Sequence, residues 1–127
     1  MKKNNRVLAI DPGTRYMGVA VLDGKKLAHY GVKTLSNWKS PHDTLAEGRE
    51  LIRELIDDFK PKTLAVEKTF FANNRNSALL NVLADEIVGI GKRRRLPVRS
   101  IAANTVRKII CKNGKGRRCK GDGTPLS

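Results

Sequence analysis

Two acidic residues each stand at the end of a short apolar run, where a strand would end. Asp11 closes the run from Arg6 to Ile10 and is followed by a Pro-Gly-Thr turn, and Glu67 closes the run from Thr63 to Val66. A carboxylate beside a tight turn is a common way of holding a divalent cation next to a phosphate. The two acids meet only if their strands lie side by side in parallel, which periodicity alone leaves open.

The positive charge of the chain is concentrated in its last quarter. The whole sequence has 26 Lys and Arg residues against 12 Asp and Glu residues, and residues 92–127 hold 12 of the former and 1 of the latter. We expect nucleic acid as the partner, because neutralising phosphates releases counterions. An anionic membrane surface is a weaker alternative, since no strongly apolar amphipathic face accompanies the basic run. Basic charge and strand-end carboxylates together predict a metal-dependent enzyme that acts on nucleic acid.

Length and composition exclude several classes of protein. The 127 residues favour one domain, which we place at residues 1–111 and follow with a flexible basic tail at 112–127. No apolar run approaches the ~20 residues of a membrane span, and the N-terminus lacks the apolar core of a signal peptide, so we expect a cytoplasmic protein. Cys111 and Cys119 have neither the spacing nor the nearby histidines of a zinc site.

Apolar periodicity predicts the order strand, strand, strand, helix, strand, helix, strand, helix. Asp23-Gly24 is a strong hairpin signal between the second and third strands. Ser40-Pro41 opens the first helix, and Lys60-Pro61 ends it. The second helix is expected from Arg75 or Asn76 to about Gly91, and the third from Ile101 to Cys111. Hairpins followed by alternating helices and strands predict an α/β fold with a mixed sheet flanked by helices.

Three segments of the chain resemble the RuvC family of Holliday-junction resolvases. They are IDPGTRYMGVAVLDG, LAVEKTFFANNRNSALLNVLADEIV and LPVRSIAANTVRKIICKNGKG, and the resemblance covers roughly residues 6–116. The middle segment, an acid followed by FFANNRNSAL, is the most specific of the three. The resemblance implies a ribonuclease H-like fold with a mixed five-stranded sheet.

The resemblance also implies an activity and a set of partners. Asp11 and Glu67 would be catalytic residues and metal ligands, with Asp11 bridging two Mg²⁺ ions, for which Mn²⁺ can substitute. The protein would be a structure-selective endodeoxyribonuclease of recombination and DNA repair that binds four-way junctions as a homodimer and nicks opposed strands. The dimer face would be the second helix near Leu79 to Val88, and branch-migration proteins would be further partners.

Several residues are candidates for contact with DNA. Phe70 is expected to be exposed and to stack on an unpaired base, with Phe71 buried, although either ring could instead fill the core. The polar residues Asn73, Asn74 and Arg75 could bind phosphate or cap the second helix. The basic residues of the third helix and of the tail could position a DNA strand or form a solvated face. The complete set of DNA-binding candidates is Phe70, Asn73, Asn74, Arg75, Arg107, Lys108, Lys112 and Lys115.

The chain departs from the family pattern in its last acids. The family has four, the last two on a final helix, whereas after Glu86 this sequence has only Asp122, in the segment GDGTPLS. Truncation, a frameshift or degeneration after about Lys115 would each explain the difference. The alternative function is therefore a junction-binding protein with impaired or no cleavage. An ATPase of the actin and hexokinase type is disfavoured, because the chain lacks the second glycine-rich acidic motif of that class.

Overall fold

A computed structural model shows, in the part of the chain that it describes, five strands and three helices in the predicted order. It describes residues 5–35, 40–68 and 75–113, except for the side chains of 75–77 and 112–113. The elements are β1 Arg6–Asp11, β2 Tyr16–Asp23, β3 Lys26–Thr34, α1 Pro41–Phe59, β4 Thr63–Glu67, α2 Arg75–Arg93, β5 Val98–Ile101 and α3 Thr105–Asn113.

The five strands form one mixed sheet in the order β3-β2-β1-β4-β5. β1, β2 and β3 are antiparallel neighbours, whereas β4 lies parallel to β1 and β5 lies parallel to β4. The predicted α/β class with a mixed, helix-flanked sheet is thus confirmed. The parallel half is reached through the α1 and α2 crossovers, as parallel strands require.

The helices cover both faces of the sheet, and the alternation of side chains along the strands decides which residues meet them. Leu8 and Ile10 of β1 face a large core that includes Ile52 of α1 and Leu83 of α2. The intervening Ala9 faces α3 in a smaller core that contains Ala20, Ala65, Val106 and Ile110. Small residues on this second face allow α3 to lie close to the sheet, beside the strand ends.

The capping and turn residues predicted from the sequence have those roles in the structure. The Ser40 hydroxyl accepts a hydrogen bond from the amide of Asp43 at 3.1 Å, which caps α1. Lys60 ends the helix in a left-handed conformation, with φ 47°, and Gly24 supplies the positive φ of the β2–β3 turn. Within the described residues, no helix is long and apolar enough to cross a bilayer.

The start of α3 differs from the prediction. The helix begins at Thr105, because Ile101 instead belongs to β5 and pairs with Glu67 of β4. Asn104 then has a left-handed backbone, with φ 68°, which separates the strand from the helix. Residues 101–104 are therefore strand end and turn where the sequence predicts helix. At its other end, α3 extends to Asn113, two residues beyond the helix end predicted at Cys111.

Candidate active site

Asp11 and Glu67 lie at the same end of two neighbouring strands. β1 and β4 are parallel, and Ile10 is in register with Val66, so the residue after each is one of the two acids. The topological condition that periodicity leaves open is therefore met. The site is made of a residue from the first strand and a residue from the fourth, with α3 packed beside them on one face.

The carboxylate of Glu67 is buried, and each of its oxygens accepts one hydrogen bond from the start of α3. Only 4% of the residue is exposed. Its Oε1 accepts a hydrogen bond from the amide of Asn104 at 2.7 Å, and its Oε2 accepts one from the amide of Val106 at 2.8 Å. The partial positive charge of a helix N-terminus favours an anion here. Each oxygen keeps a second lone pair beyond its amide bond.

Asp11 is half-buried, and its pKa is raised from the ordinary value of 3.8 to about 6. Burial is the main cause, the negative charge of Glu67 adds to it, and the positive charge of Arg107 opposes both. Holding two carboxylates close together costs electrostatic free energy. A divalent cation would relieve this repulsion, and carboxylate oxygens are the ligands that hard divalent cations prefer. The described residues contain no cluster of three or more metal-ligating side chains, so this pair is the extent of the acidic site there.

Gly18 of β2 keeps the space beside Asp11 open. It pairs with Asp11 across the antiparallel ladder. A Cβ atom at position 18 would lie 3.1 Å from the Cβ of Asp11, 3.6 Å from its Oδ2 and 3.7 Å from Cγ1 of Val106. Gly18 is not among the site residues predicted from the sequence, although a glycine inside the alternating run of β2 is a signal of close approach.

The raised pKa of Asp11 predicts a pH dependence of stability in the metal-free protein. The folded state binds this proton more tightly than the unfolded state, so the carboxyl destabilises the fold increasingly as the pH rises from about 4 to about 6. In EDTA, Asp11→Asn should be more stable than wild type at pH 7.5 by about 1–2 kcal/mol. This gain is smaller than the pKa shift alone would give, because solvent screens the partly exposed carboxyl. Urea denaturation should show the gain shrinking at pH 4.5, and a gain independent of pH would contradict the assignment.

Two basic residues of α3 follow Val106 directly. Arg107 is half-buried and close enough to Asp11 for its charge to act on the pKa of that carboxyl. Lys108 is exposed. The third helix therefore brings the positive charge of Arg107 to the acidic pair.

A cationic groove leads away from Glu67 between α2 and β5. This groove has a volume of about 400 Å³ and is lined on the strand side by Glu67, Arg99 and Ser100 and on the helix side by Asp85 and Lys92. Lys68 lines it as well. None of the three basic residues forms an ion pair within the described part of the chain. Lys92 belongs to a charge run that the sequence shows, but Lys68 and Arg99 are isolated in sequence and only the fold brings them to one groove.

Most of the other candidates for DNA contact lie beyond the parts of the chain that the structure describes. Phe70, Phe71, Asn73, Asn74 and Lys115 are outside the described residues. Arg75 begins α2 and Lys112 lies near the end of α3, but their side chains are also outside the described part. Of the eight DNA-binding candidates, the structure thus brings Arg107 close enough to Asp11 for its charge to act there, and it places Lys108 on the exposed surface of the same helix.

Comparison with solved structures identifies the class of fold. The chain superposes on T. thermophilus RuvC in complex with a Holliday junction substrate with a TM-score of 0.70 at 18% identity, over 86% of this chain and 78% of that one. It superposes on a second Thermus thermophilus RuvC structure with a TM-score of 0.65 at 20% identity, over 93% of this chain and 74% of that one. The chain therefore has the fold of these two RuvC structures.

Sequence comparison gives the family. The model of crossover junction endodeoxyribonuclease RuvC matches residues 7–120. The RuvC of Idiomarina loihiensis is 33% identical over 85% of this chain and 66% of its own length, and that of Geobacter metallireducens is 32% identical over 89% and 72%. The chain belongs to the RuvC family. It spans about two thirds of the length of these curated relatives.

Proposed function

We propose that this protein is a structure-selective endodeoxyribonuclease that binds four-way DNA junctions and hydrolyses phosphodiester bonds in opposed strands. The observation that carries the proposal is the pairing of Asp11 and Glu67 at the ends of adjacent parallel strands. Membership of the RuvC family supports the substrate class, and the net charge of +14 supports a polyanionic partner.

In the proposed mechanism, Asp11 and Glu67 would be the residues that hold divalent cations, Mg²⁺ or Mn²⁺. Such ions, when bound, lower the pKa of a water nucleophile and stabilise the leaving oxygen. Asp11 must be ionised to act, and a cation favours its ionisation against the burial that opposes it. Glu67 is held in one orientation by its two amide partners. The positive charge of Arg107 attracts the phosphate and offsets the negative charge of the acidic pair.

We further propose two routes for the DNA around this centre. One is the surface of α3 with Arg107 and Lys108, and the proposal adds Lys112 and Lys115 to it as candidates for phosphate contact. The other is the cationic groove with Lys92 and Arg99, which begins at Glu67. The residues Phe70, Asn73, Asn74 and Arg75 would complete the contacts at the junction, with Phe70 stacking on an unpaired base.

A homodimer is part of the proposal, since the two-fold symmetry of a dimer matches that of a four-way junction. On α2, the expected dimer face, Val82 is a large apolar residue that is 45% exposed. Such a residue suits a surface that a second copy covers. We place the protein in the cytoplasm with the DNA, and branch-migration proteins are its proposed partners there.

The test of the function is cleavage of an end-labelled synthetic four-way junction in Mg²⁺, compared with linear duplexes of the same sequence. Symmetric nicks in the junction alone would support the proposal. A junction that is retarded on a gel but not cut would favour the alternative of a binding protein. Equal cutting of junction and duplex would contradict structure selectivity.

The cationic groove gives a separate prediction about salt dependence. Lys92→Ala with Arg99→Ala should flatten the plot of log affinity against log salt by about one unit for each phosphate that the variant no longer neutralises. The control is Lys26→Ala with Lys62→Ala, because these exposed lysines lie at the opposite end of the sheet. Fluorescence anisotropy with a labelled junction measures both. An unchanged slope in the groove variant would show that DNA does not follow this groove.

A further inference from the structure

We infer that Glu67 has a second role: it fixes the start of α3, so that cation binding at the acidic pair and the position of this helix are coupled. The inference rests on the proposed metal site, but the hydrogen bonds that carry it belong to the chain itself. Both oxygens of the carboxylate accept backbone amides of one helix start, at 2.7 and 2.8 Å.

Glu67 takes the place of an ordinary helix cap. The first N–H groups of a helix lack partners inside the helix, and the residue before the helix commonly supplies one with its own side chain. Here Asn104 is the residue before α3. The amide of Thr105 donates to the carbonyl of Ala102, and the amides of Asn104 and Val106 donate to the carboxylate of Glu67. Val106 is 1% exposed, so water cannot readily replace the carboxylate at its amide.

A backbone hydrogen bond next to Glu67 adds to the contact between the end of β4 and the start of α3. The amide of Lys68 donates to the carbonyl of Ile101 at 2.8 Å, directly beside the Glu67 bonds. Three hydrogen bonds therefore join the end of β4 to Ile101, to Asn104 and to Val106 in the first turn of α3. A displacement of the Glu67 carboxylate is transmitted to the first turn of the helix through short, charge-assisted contacts.

The first turn of α3 also holds the residues that face Asp11. The side chain of Val106 lies against the position of Gly18, next to the Asp11 carboxylate. Arg107, the next residue, acts on Asp11 through its charge. A cation that moves or polarises the Glu67 carboxylate thus changes the same turn that places Arg107, and a phosphate bound to Arg107 acts back on the site by the reciprocity of linked equilibria.

Amide hydrogen exchange without DNA or metal tests the helix-capping role. In EDTA, Glu67→Gln keeps the size of the side chain but replaces one acceptor oxygen by a donor, so exchange in the first turns of α3 should rise by about ten- to hundredfold. Asp23→Asn, at an exposed acid at the far end of the sheet, should leave α3 exchange as in wild type, and α1 amides such as those of Ile52 and Leu55 serve as an internal reference. Wild-type protection of α3 in Glu67→Gln would overturn the inference.

A second measurement needs no change at Glu67. In the wild-type chain without DNA, Mg²⁺ should shift the amide resonances of Asn104 and Val106 along one saturable curve, and Asp11→Asn should weaken or abolish this shift. If other resonances of the chain show saturable Mg²⁺ binding while the amide resonances of Asn104 and Val106 do not shift, the coupling is overturned. Both readouts are independent of cleavage, so a chain that fails to cut junctions can still pass them.

Discussion

Replacing Asp11 with asparagine is expected to lower the rate of junction cleavage by at least about a thousandfold. The substitution keeps the shape of the side chain but removes the charge that a hard divalent cation requires, and metal catalysis contributes several kcal/mol to such a reaction. Junction affinity should stay within about threefold of wild type or rise, because Asp11 repels phosphate. Single-turnover cleavage and gel retardation in Ca²⁺ measure the two quantities separately.

The matched control is Asp23→Asn. Asp23 is exposed, forms a surface ion pair with Arg6 at 3.7 Å and lies at the far end of the sheet from Asp11. Removing its charge should leave the cleavage rate unchanged. Wild-type cleavage by Asp11→Asn would exclude this residue as a metal ligand, and parallel loss of cleavage and binding would assign it to DNA contact instead.

Replacing Gly91 with alanine is expected to destabilise the protein by about 1–3 kcal/mol, a fall of several degrees in Tm. Gly91 is buried in α2, where a Cβ atom would lie 2.7 Å from Cγ2 of Val98 and 2.8 Å from Cδ2 of Leu64. Leu64 is fully buried and cannot withdraw, and Val98 is stiff because it is β-branched. The helix must therefore move away from β4 and β5. Urea denaturation followed by circular dichroism measures the loss.

Gly89, two residues earlier in the same helix, is the control for this prediction. A Cβ atom there meets only the guanidinium of Arg93, at 3.3 Å, and this long side chain can shift. Gly89→Ala should therefore stabilise the protein by up to about 1 kcal/mol through helix propensity alone. Because both substitutions gain the same propensity, their difference isolates the cost of crowding. Equal stability of the two variants would show that α2 does not rely on close approach at Gly91.

The sequence predicts the elements well because their signals are local. The Asp23-Gly24 turn, the Ser40 cap and the Lys60-Pro61 stop each act within a few residues, and each is found where it is expected. The acids of the site are predictable for the same reason, since Asp11 and Glu67 end apolar runs. Their roles in catalysis and metal binding remain predictions.

The contacts between distant elements are harder to predict from the sequence. Nothing local shows that β1 and β4 are parallel neighbours, or that Glu67 binds the start of a helix that lies 37 residues further on. The boundary of α3 is wrong for a related reason, because pairing with β4 determines that Ile101 is strand. Lys68 and Arg99 are ordinary surface residues until the sheet places them in one groove.

The parallel pairing of β1 with β4 also determines when the site can exist during synthesis. The ribosome releases the antiparallel strands β1 to β3 first, and they can pair while Asp11 still lacks its partner. Glu67 follows only after α1 has returned the chain to the sheet, and its amide donors at Asn104 and Val106 emerge later still. A nascent chain shorter than this holds both acids but not the helix that orients one of them, so the acidic pair takes its final form only once α3 has left the ribosome.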